Sequence, residues 1–246
     1  MTPSLLVLEH EPACPPALLG EWLADAGCRL TPCRPWAGEE VPPLSAYDGW
    51  LVLGGSVGAH DDAEAPWLPT VRARVAEAAG TGVPVLGVCL GHQLAAVATG
   101  GEVAVNPAGQ RVGLVGVGWT AAAADDPLLG PLASPRRALQ WNSDVVVRLP
   151  EGARLLAALP GGEVQAARFA PSVWGVQWHP EVDREVLTSW AAGDRDDHLE
   201  RGIDQEAVLA EVAAARDELE AAWRPLADSF AALLGLAAGA GPGGAP

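Results

Sequence analysis

The stretch VPVLGVCLGHQLAA, residues 83–96, places one cysteine between an apolar run and a helical pattern. If residues 84–88 form a strand and residues 91–99 form a helix, Cys89 lies on a tight strand-to-helix turn, where the neighbouring glycines leave room for the bend. Backbone N–H groups and the positive end of the helix dipole then face the sulfur and favour the thiolate, which is the reactive form. Cys89 is therefore a candidate nucleophile, and a buried structural thiol is the alternative.

A cysteine nucleophile needs a base, and the base needs a partner that orients it. The stretch VWGVQWHPEV offers both, because His179 follows a predicted strand and Glu181 stands two residues further on. Pro180 prevents the strand from continuing. A single histidine is more often structural, but the combination with Cys89 predicts a Cys–His–Glu catalytic set.

A glycine pair, Gly54 and Gly55, ends another predicted strand in LVLGGSVGAHDD. Glycines allow the close approach and unusual backbone angles that an oxyanion-binding loop requires. The backbone N–H of Leu90 is the first predicted donor to an oxyanion, and this glycine loop offers the second. Strand termination for steric reasons alone is the other interpretation of the pair.

The elements that must position these residues follow from hydrophobic spacing. Short apolar runs typical of strands buried on both faces are SLLVLE, GWLVL and VPVLGV. The segments ALLGEWLADAG and PWLPTVRARVAEAAGTG, which lie between these runs, have helical spacing and end at glycine. Strand and helix in alternation predict a parallel sheet with helices on both sides.

The second half of the chain has a different pattern. Short strand candidates separated by turns are RVGLVGVGW, RALQW, VQAARF and VWGVQW. They predict a partly antiparallel region, followed by a final core helix near DREVLTSWAA. The fold class is therefore α/β, with a mixed, mainly parallel open sheet flanked by helices and a helical C-terminal extension.

The C-terminal region divides into an extension, residues 192–236, and a tail, residues 237–246, that lacks the apolar surface to order itself. The domain that precedes them is residues 1–191. An apolar helical stripe runs through residues 204–234, and Pro225 is expected to kink it or divide it into two helices. The stripe predicts that this arm packs back on its own domain, and contact with a second copy or a partner is the alternative.

Composition excludes several classes of function. The 246-residue chain has a formal net charge of −16, and its basic residues are all arginine, so its field repels nucleic acid and anionic lipid. No apolar run approaches the roughly 18 residues of a membrane span, and the N-terminus lacks the basic region of a signal peptide. We therefore expect a cytoplasmic protein with reduced thiols, without nucleic-acid or membrane binding.

Other residues that could do chemistry have simpler interpretations. Cys14, Cys28 and Cys33 have no predicted base partner and are interpreted as structural thiols. His60, Asp61 and Asp62 are interpreted as a solvated turn, with the rim of the pocket as the alternative. Trp141 and Trp178 flank the predicted site and are expected to wall it. The scattered histidines predict no metal site.

Taken together, GVCLGHQ and the later GVQWHPE resemble the motifs of the class I (triad-type) glutamine amidotransferases, whose fold is flavodoxin-like. The resemblance covers residues 1 to about 190. Within the family, LGGSVGAHDD, PWLP and LQWNSDVV are most similar to stand-alone proteins that resemble the amidotransferase domain of GMP synthase.

The resemblance implies the roles of five residues. It makes Cys89 the nucleophile, His179 the general base and acid, and Glu181 the group that orients His179. Gly55 and Leu90 would supply the two amides of the oxyanion hole.

The resemblance also implies a substrate pocket. Gln93 would lie in the glutamine pocket, and Gly54 would line it. Asn142, Ser143 and Asp144 align with a segment that holds the amino-acid end of glutamine.

Two positions depart from the family's pattern. The chain has Asn142 where the family often has histidine, and Ser56 where a proline often follows the glycine pair. Neither change removes a member of the catalytic set, so both are interpreted as altered pocket detail that bears on substrate choice.

The implied activity is hydrolysis of the γ-glutamyl amide of glutamine through a γ-glutamyl thioester. It needs no metal or cofactor, and the ammonia passes to a separate partner synthase. Two alternatives remain: a stand-alone γ-glutamyl hydrolase or peptidase that acts on γ-glutamyl amines or peptides, and a catalytically idle regulator that binds a partner.

Overall fold

The strands of the protein, seen in a computed structural model, form one large sheet and two small ones. The structure describes residues 2–239, with side chains described as far as residue 235. The strands are β1 (Ser4–Leu8), β2 (Arg29–Cys33), β3 (Gly49–Val52), β4 (Val85–Val88), β5 (Glu102–Val105), β6 (Arg111–Gly116), β7 (Arg137–Asn142), β8 (Asp144–Arg148), β9 (Arg154–Ala158), β10 (Val164–Ala170) and β11 (Val173–Val176).

The helices cover both faces of the large sheet and form the C-terminal region. They are α1 (Ala17–Asp25), α2 (Leu68–Thr81), α3 (Leu90–Ala98), α4 (Arg184–Gly193), α5 (Arg195–Glu200), α6 (Gln205–Ala214) and α7 (Arg216–Gly239). Residues 237–239 of the predicted tail continue α7, and residues 240–246 lie outside the described residues.

The large sheet has the strand order β2-β1-β3-β4-β11-β10-β9. Its first five strands are parallel, whereas β10 and β9 join antiparallel. The pairs β5–β8 and β6–β7 are separate antiparallel ladders. This topology confirms the predicted mixed, mainly parallel α/β fold.

Both faces of the large sheet are buried, as the uninterrupted apolar runs predicted. Along β1, Leu5 and Val7 belong to one core cluster, and Leu6 and Leu8 belong to the cluster on the opposite face. The first cluster contains α1 and α7 residues, and the second contains α2 and α3 residues. The central strands are thereby fixed from both sides, and their carboxyl ends form one edge.

The C-terminal arm packs on the core of its own chain. Trp223, Leu226 and Phe230 of α7 are buried in the cluster that also holds α1. Of the two effects expected of Pro225, a kink or a division of the helical stripe, the division is wrong. The break falls at Ala215, between α6 and α7, and Pro225 lies inside α7. Burial of the neighbouring residues offsets the backbone hydrogen bond that proline cannot donate.

Candidate active site

Cys89 stands at the turn between β4 and α3 with a strained backbone. Its φ of 50° and ψ of −105° fall where few residues other than glycine occur. A Cβ on Gly91 would lie 2.0 Å from the carbonyl oxygen of Val52, and one on Gly87 would lie 2.3 Å from the Gly91 oxygen. The Cys89 N–H donates to the Val176 carbonyl at 2.9 Å. Tight packing of backbone on backbone therefore holds the cysteine in its unusual conformation.

His179 and Glu181 form a buried pair just beyond β11. The distance from His179 Nδ1 to Glu181 Oε1 is 2.7 Å, and the two residues are 5% and 2% exposed. The backbone N–H of His179 donates to the Leu139 carbonyl at 2.9 Å. The backbone carbonyl of Glu181 accepts from the Leu18 N–H, also at 2.9 Å. The pair is thus anchored through its main chain as well as its side chains.

The charges around His179 favour its protonated form. Burial opposes the positive charge, but Glu181 and Cys89 outweigh it and raise the pKa of His179 to about 10. The imidazolium form of His179 is therefore favoured beside both a carboxylate and the sulfur of Cys89. An imidazolium in this position can donate a proton to a leaving group and afterwards act as a base.

One cavity of about 750 Å³ brings most of the predicted site residues together. Those that line it are Cys89, His179, Gly55, Gln93, Asn142, Ser143 and Asp144. Gly54 lies under the same cavity, because a Cβ there would be 3.3 Å from His179 Cε1 and 3.6 Å from Cys89 Cβ. Glu181 contacts His179, and Leu90 begins the helix directly after the cysteine.

Gly55, which carries one predicted oxyanion donor, packs against the side chain of Leu90, which carries the other. A Cβ on Gly55 would lie 3.0 Å from Leu90 Cδ2 and 2.9 Å from His10 Cβ, so no larger residue fits. Within residues 2–239, neither the Gly55 amide nor the Leu90 amide donates a hydrogen bond to a protein acceptor. Neither predicted donor is thus committed to another group in this part of the chain.

The far end of the cavity offers acceptors to a positively charged group. Asn142 Nδ2 donates to the Asp144 carbonyl at 3.0 Å, while Asn142 Oδ1 is buried without a partner among the described residues. Gln93 Nε2 also donates to the Asp144 carbonyl, at 3.0 Å. Burial, and next Asp61, raise the pKa of the Asp144 carboxyl. An ammonium group here would meet one free amide oxygen and two nearby carboxylates.

Gln177 is a site residue that sequence reasoning missed. It is fully buried, its side-chain amide donates to Cys89 Sγ at 3.6 Å, and its Oε1 accepts from Gln93 Nε2 at 3.4 Å. The available signal was its position in VWGVQWHPEV, two residues before His179. Residues at the end of the same strand must lie near the same edge of the sheet.

Cys14 also lines the cavity, although its sequence context indicated a structural thiol. Its thiol donates to Glu11 Oε1 at 3.1 Å. Burial and the Glu11 charge raise the pKa of Cys14 well above its usual range, so it stays a protonated thiol. No local pattern could reveal it, because the loop after β1 meets Cys89 only in the folded chain.

The two tryptophans that were expected to wall the site have different positions. Trp141 lines the cavity, and its indole N–H donates to Asp194 Oδ2 at 2.7 Å. The prediction for Trp178 is wrong: it is fully buried and packs against Trp119 and Trp223 in the core. Alternation along the chain turns Trp178 to the opposite side from its neighbours Gln177 and His179.

Residues 2–239 contain neither a cluster of metal-ligating side chains nor a membrane-spanning helix. No group of three or more histidine, cysteine, aspartate or glutamate side chains within residues 2–239 could hold a metal ion. In the same part of the chain, no helix has both the length and the apolar character needed to cross a membrane.

Comparison with known proteins gives a family match. The profile described as "Glutamine amidotransferase class-I" matches residues 23–188. A solved glutamine amidotransferase from Thermotoga maritima superposes with a TM-score of 0.83 at 22% identity, covering 94% of this chain and 99% of that one. At this identity the superposition establishes the fold.

Two curated relatives differ in their activities. One subunit of the glutamine-hydrolyzing GMP synthase from Halobacterium salinarum is 43% identical over 101 residues, 41% of this chain and 54% of the relative. The γ-glutamyl-L-1-hydroxyisopropylamide hydrolase of a Pseudomonas species is 34% identical over 147 residues, 57% of this chain and 49% of the relative. The match spans about half the length of each.

Proposed function

Since the chain belongs to the class-I glutamine amidotransferase family, we propose that it hydrolyses the γ-glutamyl amide of glutamine or of a related small molecule. The observation that carries the proposal is the buried His179–Glu181 pair, 2.7 Å apart, in the cavity that holds the strained Cys89. A nucleophile, an oriented base and backbone amide donors are what acyl transfer requires, and the shared cavity of Cys89, His179 and Gly55 supports this assignment.

The reaction begins when the Cys89 thiolate attacks the γ-carbonyl carbon. A C–S bond forms and the carbonyl electrons move to oxygen, where the Gly55 and Leu90 amides donate to the oxyanion. The C–N bond then breaks, and His179 gives its proton to the departing nitrogen. Ammonia or an amine leaves, and a γ-glutamyl thioester remains on Cys89.

Hydrolysis of the thioester uses the same groups. His179, now neutral, takes a proton from water while the water oxygen attacks the thioester carbon. The C–S bond breaks, glutamate is released, and the thiolate and imidazolium are restored. Glu181 holds the imidazole throughout and stabilises its charge. Gln93 lines the glutamine pocket, and Asn142, Ser143 and Asp144 bind the amino-acid end of the substrate.

Glutamine with a separate partner synthase is the first form of this proposal. The Halobacterium relative is named as one subunit of GMP synthase, which supports an arrangement in which ammonia passes to another polypeptide. The domain that does this work would be residues 1–191, with residues 192–236 as a helical extension.

A stand-alone γ-glutamyl hydrolase is the second form, and the size of the cavity favours it. The cavity of about 750 Å³ is in the range that holds drug-sized ligands. Beyond His179 it continues along α4 and α5, where it is lined by Trp190, Asp194, Asp197 and Arg201. This extra wall leaves room for an amine larger than ammonia, as in the amide named for the Pseudomonas relative.

The test incubates the purified full chain with glutamine and with a panel of γ-glutamyl amines and peptides, and measures glutamate and the released amine. Hydroxylamine is added to trap the thioester as γ-glutamyl hydroxamate. We expect activity and hydroxamate in the wild type and neither in Cys89→Ser. Cys28→Ala, which removes a core thiol away from the cavity, is the matched control.

The outcomes separate the two forms. High activity on a γ-glutamyl amine by the chain alone supports the hydrolase. Low glutamine turnover without activity on any amine supports the partner-dependent form. No activity on any substrate, or full activity in Cys89→Ser, contradicts the proposed function and leaves the idle regulator.

A further inference from the structure

The loop that carries the proposed oxyanion donor, residues 54–57, has an unusual anchor. Two consecutive glycines give this loop little intrinsic stiffness, because glycine loses more conformational freedom on folding than other residues. Yet the Gly55 amide must stay within a few tenths of an ångström of the oxyanion position to be effective. Something outside the loop must therefore fix it.

Glu11 makes the contacts that do so. Its Oε1 accepts from the Ser56 backbone N–H at 2.8 Å, and its Oε2 accepts from the Ser56 hydroxyl at 2.8 Å. The Cys14 thiol donates to Oε1 at 3.1 Å. Because the acceptor is charged, these hydrogen bonds are stronger than neutral ones. They fix the Gly55–Ser56 peptide in both position and orientation.

The segment that carries Glu11 is itself held in place. His10 is buried, its Nδ1 accepts from the Trp67 indole N–H at 3.0 Å, and its Cβ lies against Gly55. The Ala13 carbonyl accepts from the Trp190 indole N–H at 2.7 Å. The loop therefore lies between His10 on one side and α3 on the other, with Glu11 bound to its outer end.

We propose that Glu11 is a positioning residue, which acts through Ser56 to hold the Gly55 amide where the oxyanion develops. This inference rests on the proposed function. The residue type at position 56 matters, because proline has no N–H to donate and fixes its own φ, whereas serine depends on an acceptor. Serine with Glu11 and proline alone are thus two ways to stiffen the same loop.

The experiment compares Glu11→Ala, Ser56→Pro and the double variant in the full chain, with γ-glutamyl p-nitroanilide and glutamine as substrates. We expect Glu11→Ala to lower kcat by about 10-fold or more with little change in KM, since the amide contacts the oxyanion only in the transition state. The φ of Ser56 is not positive in the native loop, so proline is compatible with the sign of this angle. Ser56→Pro should therefore restore most of kcat in the Glu11→Ala background. Exposed Glu21→Ala is the control for loss of a carboxylate.

A second measurement separates positioning from general damage. The rate at which iodoacetamide alkylates Cys89 needs the thiolate but no oxyanion hole, so it should be the same in Glu11→Ala and the wild type. Hydrogen exchange at the amides of residues 54, 55 and 57, which every variant keeps, should become faster in Glu11→Ala and slower again in the double variant.

Three results would overturn the inference: an unchanged kcat in Glu11→Ala, an equal loss of alkylation rate, or no rescue by proline. If the wild type turns over no substrate, the proposed function fails instead. The role of Glu11 in holding the loop is then tested by hydrogen exchange alone, and an unchanged rate at residues 54–57 in Glu11→Ala would contradict it.

Discussion

Burial alone normally removes the charge from a histidine, and two residues of this chain obey that rule. Burial lowers the pKa of His10 and of His92 to about 3. His179 is buried to the same extent, yet its pKa rises to about 10, because Glu181 and Cys89 are adjacent to it. Burial thus favours the neutral form of His10 and His92, whereas the carboxylate and the sulfur adjacent to His179 favour its charged form.

The titration of His179 gives a prediction for Glu181→Gln. After burial, which opposes the charge, the Glu181 carboxylate is the largest influence on His179, so its neutralisation should lower the pKa of His179. Histidine Cε1–H NMR signals followed against pH check this. Exposed Glu21→Gln is the control, and an unchanged His179 titration in Glu181→Gln would contradict the prediction.

Stability should follow the same titration. The folded-state pKa of His179 lies above its ordinary value of 6.5, so its contribution to stability is complete below about pH 6.5 and is lost as pH rises through about 10. In Glu181→Gln the loss should start at the same pH but be smaller and end at a lower pH, because only the folded-state pKa changes. Urea unfolding at several pH values between these limits measures the difference, and parallel curves for the two proteins would argue against it.

At the scale of elements, the strand-to-helix turn from β4 to α3 depends on backbone contacts that no side chain can replace. A Cβ at Gly91 would lie 2.0 Å from the Val52 carbonyl oxygen. Helix α3 cannot move away to make room without carrying the Leu90 amide with it. Packing of α3 on the sheet and the geometry of the proposed oxyanion hole are therefore one structural requirement.

Gly91→Ala should consequently lower both stability and activity. We expect a loss of about 1–3 kcal/mol or more in the free energy of unfolding, typical of overpacking, together with a large fall in kcat. Gly80→Ala in α2 is the matched control: a Cβ there has open space, so the change should be neutral or stabilising by up to about 1 kcal/mol. Denaturant titration of both variants checks the contrast.

The elements that the sequence predicted well are those with strong local patterns. Apolar runs predicted β1, β3 and β4 with small boundary differences, and helical spacing with a terminal glycine predicted α1 and α2. In contrast, β2 went unpredicted because RLTPC is half-exposed at the edge of the sheet and contains a proline. Edge strands lack the apolar run that marks a central one.

The site was predictable to the extent that its residues lie in short motifs. Cys89 lies in GVCLGHQ, and His179 and Glu181 lie in GVQWHPE. In the structure Cys89 and His179 line one cavity, and Glu181 contacts His179. Glu11 and Cys14 could not be found in this way, because their contacts to the site join loops that are distant in sequence. Their roles depend on tertiary packing, which leaves no local pattern.

For the whole molecule, the C-terminal arm is part of the hydrophobic core. Helices α4 and α5 supply a wall of the active-site cavity, while α7 fills the sheet face next to α1. Arg136, which donates to the Ala222 carbonyl, and the Trp223 indole, which donates to the Arg137 carbonyl at 3.0 Å, add polar anchors. We infer that the arm and the sheet unfold as one cooperative unit.

Phe230→Ala tests this cooperativity. Phe230 is fully buried, so its truncation should lower the free energy of unfolding by about 3–5 kcal/mol. The near-UV signals of the tryptophans and the enzymatic activity should both be lost at the same lower midpoint. Leu199→Ala, at a position 77% exposed, should change little. Separate midpoints for the arm and the active site would contradict a single unit.

The position of β11 has a consequence for the chain during its synthesis. This strand lies between β4 and β10 in the middle of the sheet, although within residues 2–239 it is translated after the other strands. Until residues 173–176 leave the ribosome, β4 is an open edge with unpaired backbone groups, which invites aggregation. The Cys89 turn also lacks the Val176 carbonyl that fixes it. The growing polypeptide is therefore prone to aggregation until this late insertion closes the edge and fixes the Cys89 turn.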